Sequence, residues 1–186
     1  MKDNYGFKSE EQIYEQRKRY YEDYGSTMLG LMKDYDLNPM YYLEYVHNID
    51  EKLFPIPDEK LYKILWNIDG KIILLTNSYK QYAVKVLNNL GVADLFDGFY
   101  DVVDMKYLNK SHLRVYQDFL KTFGFRAQDC IMHDDIWRFL KIPQQLGMTT
   151  VLVKQEKCEG KPDFHINTIY ELPTILDQLY NFSLSS

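Results

Sequence analysis

The 186-residue chain has only two cysteines, Cys130 and Cys158, too few for a disulfide framework or a zinc ligand set. Cys130 opens an apolar run and reads as a small core hydrophobe. This usage suits a soluble reducing compartment, either the cytoplasm or an organelle matrix such as the mitochondrial one. No stretch approaches the roughly 18 consecutive apolar residues of a membrane span. Basic residues are in deficit, 22 against 27 acidic ones for a net charge of −5. That excludes the basic face a nucleic-acid backbone binder needs. The N-terminal MKDNYGFKSEEQ lacks the apolar core of a signal peptide and the Arg-rich pattern of a transit peptide. Repeats and low-complexity tracts are absent.

What is present is a globular composition, 46% hydrophobic and 26% charged, long enough for one well-buried domain. Seventeen Tyr and ten Phe fit a surface that meets protein partners. The pattern predicts helix from Ser9, an N-cap followed by Glu10, Glu11 and Gln12, to about Met32. Asn38-Pro39 opens a second helix, and Asp58 caps a third that ends near Asp69-Gly70. The period then changes. Residues 71–75 (KIILL) form a short, continuously apolar run, as expected of a parallel strand buried on both faces. Further strands are predicted at 99–103, 130–133 and 149–153. Helices are predicted at 79–91, 111–123, 137–146 and 168–180. This alternation predicts an α/β fold with a parallel sheet covered on both faces. The helical residues 1–58 form a separate cap-like lobe beside a core of residues 59–186.

Three features fall at the C-terminal ends of successive strands, where open α/β sheets keep their chemistry. They are Thr76-Asn77, the loop carrying Lys110, and Asp134-Asp135. A hydroxyl, an ammonium and a carboxylate pair around one crevice suit phosphoryl transfer: the first two hold phosphate oxygens and the acids hold Mg²⁺. Each has a plainer explanation when taken alone. A threonine at a strand end is usually a cap, a lone lysine is usually solvated, and an Asp pair often caps a helix.

Order and spacing carry more weight. LLTN (residues 74–77), NKSHLRVYQ with its Lys110, and DCIMHDD (129–135) followed by Leu146-Gly147-Met148 resemble the second, third and fourth motifs of the haloacid dehalogenase (HAD) superfamily. YYEDYGSTMLGL (20–31) and TNSYKQYAVKVLNNLGVADLFDGFYD (76–101) are similar to its pyrimidine 5′-nucleotidase-like branch. The resemblance implies a Rossmann-like core with a small helical cap, and a phosphatase mechanism. An aspartate attacks a phosphate monoester, a second acid two residues later protonates the leaving group, and water hydrolyses the aspartyl-phosphate. It also implies Thr76, Asn77 and Lys110 as phosphate-binding residues, Asp134 and Asp135 as metal ligands, and Mg²⁺ as cofactor if the site still works.

The sequence departs from that pattern in several places. The nucleophile belongs to a first strand ending DxDxT, which the family places ahead of the cap. Here only MKDNYGFK precedes the cap, and Asp3 has neither an apolar strand before it nor an acid two residues on. The first core strand, central in this fold, is therefore expected to be missing from this chain. That leaves two open edges, flanking the strands that end at Thr76 and His133. The strand is supplied by further N-terminal sequence or by a protein partner, or the two flanking strands pair directly. Ile136, Trp137 and Phe139 stand where the family has small or polar residues, Ser111 replaces a common Pro, and Pro143 enters a helix. His133 is expected to be a strand residue with a hydrogen-bonded ring rather than a metal ligand, and Trp137 and Phe139 to be packing residues. The expected function is a HAD-like domain without phosphatase activity that serves as a structural or binding subunit of a larger assembly. The alternatives are a Mg²⁺-dependent nucleotide phosphatase seen without its nucleophile strand, and a regulatory domain that binds phosphate through Thr76 and Lys110.

Overall fold

In a computed structural model, the structure describes residues 9–154 and 159–183, so Asp3 and Cys158 lie outside the described residues. Helix α1 (Glu10–Tyr24) starts where the Ser9 side chain accepts the Gln12 N–H, with Glu10 and Glu11 favourably placed in its first turn. The helix expected to run from Ser9 to about Met32 is in fact two. Gly25 takes the left-handed conformation (φ +69°) and closes α1, and Ser26 caps α2 (Thr27–Tyr35). The two helices pack tightly. A Cβ at Gly30 would sit 2.2 Å from the ring of Tyr20, which is buried and donates its hydroxyl to Asp34 at 2.7 Å. Helix α3 (Pro39–Val46) begins with Asn38 as cap and Pro39 in its first turn, as the sequence predicts.

Helix α4 (Glu59–Trp66), capped by Asp58, leads into the core. Strand β1 (Ile73–Leu75) pairs in parallel with β2 (Gly98–Tyr100). Helix α5 (Lys80–Leu90) connects them. Strand β2 stops short of the predicted 99–103 because Asp101 turns the chain. One oxygen of its buried carboxylate accepts the N–H groups of Val103 and Asp104, and the other caps α5 at the Lys80 N–H.

Helix α6 (Leu113–Phe123) is followed by β3 (Ile131–Asp134), α7 (Trp137–Gln145), β4 (Thr149–Val153), β5 (Phe164–Ile166) and α8 (Leu172–Ser183). Strand β5 is an element that the sequence pattern did not predict. It is three residues long and is locked to β4 by Asp163, which accepts both the N–H and the hydroxyl of Thr150. The last helix begins at Leu172 rather than 168, which puts Pro173 in its first turn, where a missing N–H is harmless.

All strand pairs are parallel, but they form two sheets, β2-β1 and β3-β4-β5. Strands β1 and β3 do not pair, so the rearranged sheet in which the flanking strands join directly does not form. Among the described residues no strand lies against either of these two edges. What joins the halves is α6. Val115, Tyr116 and Phe119 share one core with Leu75 and Ile73 of β1 and with Met132 of β3, backed by Tyr100 and Met148. Among the described residues, no helix is long and apolar enough to cross a membrane.

Candidate functional site

The loop after β2 brings Lys110 between the ends of β1 and β3. Its backbone N–H donates to Asn77 Oδ1 at 2.9 Å, and its Nζ lies 2.5 Å from Asp134 Oδ2. The side chains are 14% and 3% exposed, so this pair is largely screened from water. Asp134 Oδ1 accepts the Ile136 N–H at 2.9 Å, so both of its oxygens are engaged. Burial pushes the Asp134 carboxyl above the usual carboxylate value, outweighing the opposing pull of the Lys110 charge and hydrogen bond and of the Ile136 N–H.

Thr76 N–H donates to the Tyr100 carbonyl, and its hydroxyl accepts the Ser78 N–H at 3.0 Å. Asn77, Lys110 and Asp134 are therefore linked across the divide, and Thr76 adjoins them. Asp135, next to Asp134 just past the end of β3, is exposed. Trp137 and Phe139 are buried packing residues, and the Phe139 ring centre lies 5.0 Å from Lys110 Nζ. His133 is half-buried, as expected, but its Nδ1 is enclosed with no partner instead of hydrogen-bonded. Burial lowers its pKa to about 4. Ser111 Oγ is likewise enclosed without a partner.

Some contributing residues were not singled out from the sequence. Asn109, buried, donates through Nδ2 to the Tyr24 carbonyl at the end of α1 and accepts the Ser111 N–H, tying the helical lobe to the Lys110 loop. Arg138 places its guanidinium 5.5 Å from the Tyr21 ring centre across the same seam. Between lobe and core lies a cavity of about 360 Å³, walled by Tyr21, Met28, Tyr42 and His47 on one side and by Asn77 and Phe139 on the other. Neither Asp101, which falls inside the strand predicted at 99–103, nor Asn109 carries a readable signal in the sequence.

As to a metal, no group of three or more His, Cys, Asp or Glu side chains among the described residues is placed to hold one. Asp134 already serves Lys110 and Ile136.

Parallel strands wrapped by helices, with amide, ammonium and carboxylate gathered at the strand ends, define an α/β protein of the open-sheet kind. The chain belongs to the haloacid dehalogenase-like hydrolases, whose family model matches residues 3–138. It is 38% identical over 90 residues to Phosphate metabolism protein 8 of Saccharomyces cerevisiae, covering 42% of this chain and 27% of the yeast protein. The match thus spans about a quarter of that relative's length.

Solved structures share the fold. They include a HAD phosphatase from Thermococcus onnurineus, with TM-score 0.56 and 21% identity over 89% of this chain and 86% of that one. Another is the HAD-hydrolase YfnB from Bacillus subtilis bound to magnesium, with TM-score 0.62 and 16% identity over 90% and 80%. A third is β-phosphoglucomutase from Clostridium difficile, with TM-score 0.57 and 24% identity over 79% and 65%.

Proposed function

We propose that the chain is a phosphate-binding HAD-like domain related to the nucleotidase-like branch, and that residues 1–186 alone do not turn phosphate esters over. Turnover requires a carboxylate nucleophile on a strand seated between β1 and β3. One observation carries this reading: Asn77, Lys110 and Asp134 are assembled at the facing ends of two half-sheets, and among the described residues no acid other than Asp134 pairs with Lys110. Lys110, Asn77 and Thr76 bind the phosphate oxygens. The ester's organic group occupies the cavity against the helical lobe, residues 1–58. The yeast relative's name, Phosphate metabolism protein 8, points to the same class of chemistry.

The reading is tested by assaying p-nitrophenyl phosphate and uridine monophosphate with Mg²⁺. Two proteins are compared: residues 1–186, and the same chain preceded by an apolar strand ending in DxD. The expected result is phosphate binding without turnover in the first and turnover in the second. Hydrolysis by residues 1–186 that Asp134→Asn abolishes would overturn it.

A second reading is a binding subunit whose site is a relic and whose open slot takes a strand from another polypeptide. Its support is the bulk behind the site: Trp137 and Phe139 fill positions that are small or polar in the resembled family, and Asp134 is doubly engaged. Co-purification of a partner that protects β1 and β3 amides from exchange would favour this second reading.

A further inference from the structure

Pro143 lies inside α7 and has no N–H to give the carbonyl four residues back, that of Phe139. Phe139 is buried, so water is not at hand to replace the lost donor. The replacement comes from another helix. The Tyr116 hydroxyl of α6 lies 2.7 Å from the Phe139 carbonyl oxygen and 2.8 Å from that of Lys110. Tyr116 is fully buried, and burial raises its pKa, so the hydroxyl keeps its single proton. One proton therefore serves two carbonyls, one on the loop that carries Lys110 and one on the helix that follows Asp134.

We propose that Tyr116 is a positioning residue that holds the Lys110 backbone in register with Asp134, and that Pro143 couples this hold to α7 by leaving Phe139 in need of a donor. Lys110 is then fixed at three points by three elements: its N–H by Asn77, its carbonyl by Tyr116 and its Nζ by Asp134. The proposal deepens the phosphate-binding reading, because Lys110 is the cation of that site. Its geometry does not depend on a ligand.

The test uses the full chain with Tyr116→Phe, Pro143→Ala and the double variant. Three quantities are read: exchange of the Lys110 amide by NMR, the unfolding midpoint, and affinity for inorganic phosphate by calorimetry. Tyr116→Phe is expected to speed Lys110 amide exchange at least about tenfold beyond what the change in global stability explains, and to weaken phosphate binding about tenfold, the equivalent of one lost hydrogen bond. Pro143→Ala restores an N–H facing Phe139. The double variant is therefore expected to regain stability while Lys110 exchange stays fast and phosphate binding stays weak. If the double variant recovers all three, Tyr116 is merely a core residue and the proposal falls. Wild-type protein that binds no phosphate would overturn the functional reading, and the Lys110 exchange rates would still decide the role of Tyr116.

Discussion

The two half-sheets end differently. Strand β1 ends in neutral groups, Thr76 and Asn77, whose side-chain oxygens accept backbone N–H groups from Ser78 and Lys110. The β3–β4–β5 half ends in a buried charge, Asp134, whose compensation comes from a loop belonging to neither sheet. The first arrangement is inexpensive, since each oxygen there exchanges water for an amide. The second depends on one contact across the divide, because a buried carboxylate without its cation carries the full penalty of desolvation. The buried charge thus sits on the β3 side, and Asn77 on the β1 side holds the Lys110 backbone.

That contrast can be broken most severely at the charge. Asp134→Ala leaves Lys110 largely enclosed without its partner and is expected to cost about 3–5 kcal/mol in urea unfolding, whereas Asn77→Ala costs about 1 kcal/mol. Equal losses would show that the two edges are equivalent after all. Next comes His133, beside Asp134 on the same strand. The unfolded chain protonates this ring near its ordinary value of 6.5, but the folded chain does so only near 4. As pH falls from 6.5 towards 4, the unfolded state binds a proton that the folded state refuses, so stability is lost across that window, by up to about 3 kcal/mol. Thermal unfolding of the wild type should show this acid slope, and His133→Phe should flatten it.

A smaller effect than those of Asp134 and His133 concerns the seam with the helical lobe. Gly25 sits at φ +69°, and a Cβ there would lie 2.8 Å from Asn109 Nδ2 and 2.9 Å from the Arg138 guanidinium. Gly25→Ala is expected to lower stability by about 1–2 kcal/mol, read in the same urea series, while leaving the acid slope intact.

Much of this was legible in the sequence, for physical reasons. The runs at 72–75 and 151–153 are continuously apolar because parallel strands are covered on both faces, a pattern unlike that of an amphipathic helix. Strand β5 was not, because three residues flanked by polar ones carry no period, and its place is set by the bond between Asp163 and Thr150, side chains 13 positions apart. The Gly25 break was passed over because helical residues resume directly after it.

At the strand ends, residue types and spacing singled out Asn77, Lys110 and Asp134, which the fold brings into contact. They did not show that Asp134 is buried and Asp135 exposed, a difference that the fold sets. The need for Tyr116 was half visible. Pro143 announces that the Phe139 carbonyl lacks a donor, but nothing local reveals that a tyrosine 27 positions earlier supplies it.

The division of the sheet also bears on how the molecule comes apart. With no ladder hydrogen bonds linking β1 to β3, cooperativity between the halves runs through side-chain packing on α6 rather than through backbone pairing. Packing of that kind can be lost on one side while the other survives, so the two halves are set up to open as separate foldons. Native-state hydrogen exchange should then resolve two opening free energies, one for β1–β2 and one for β3–β4–β5, with α6 among the last segments to lose protection.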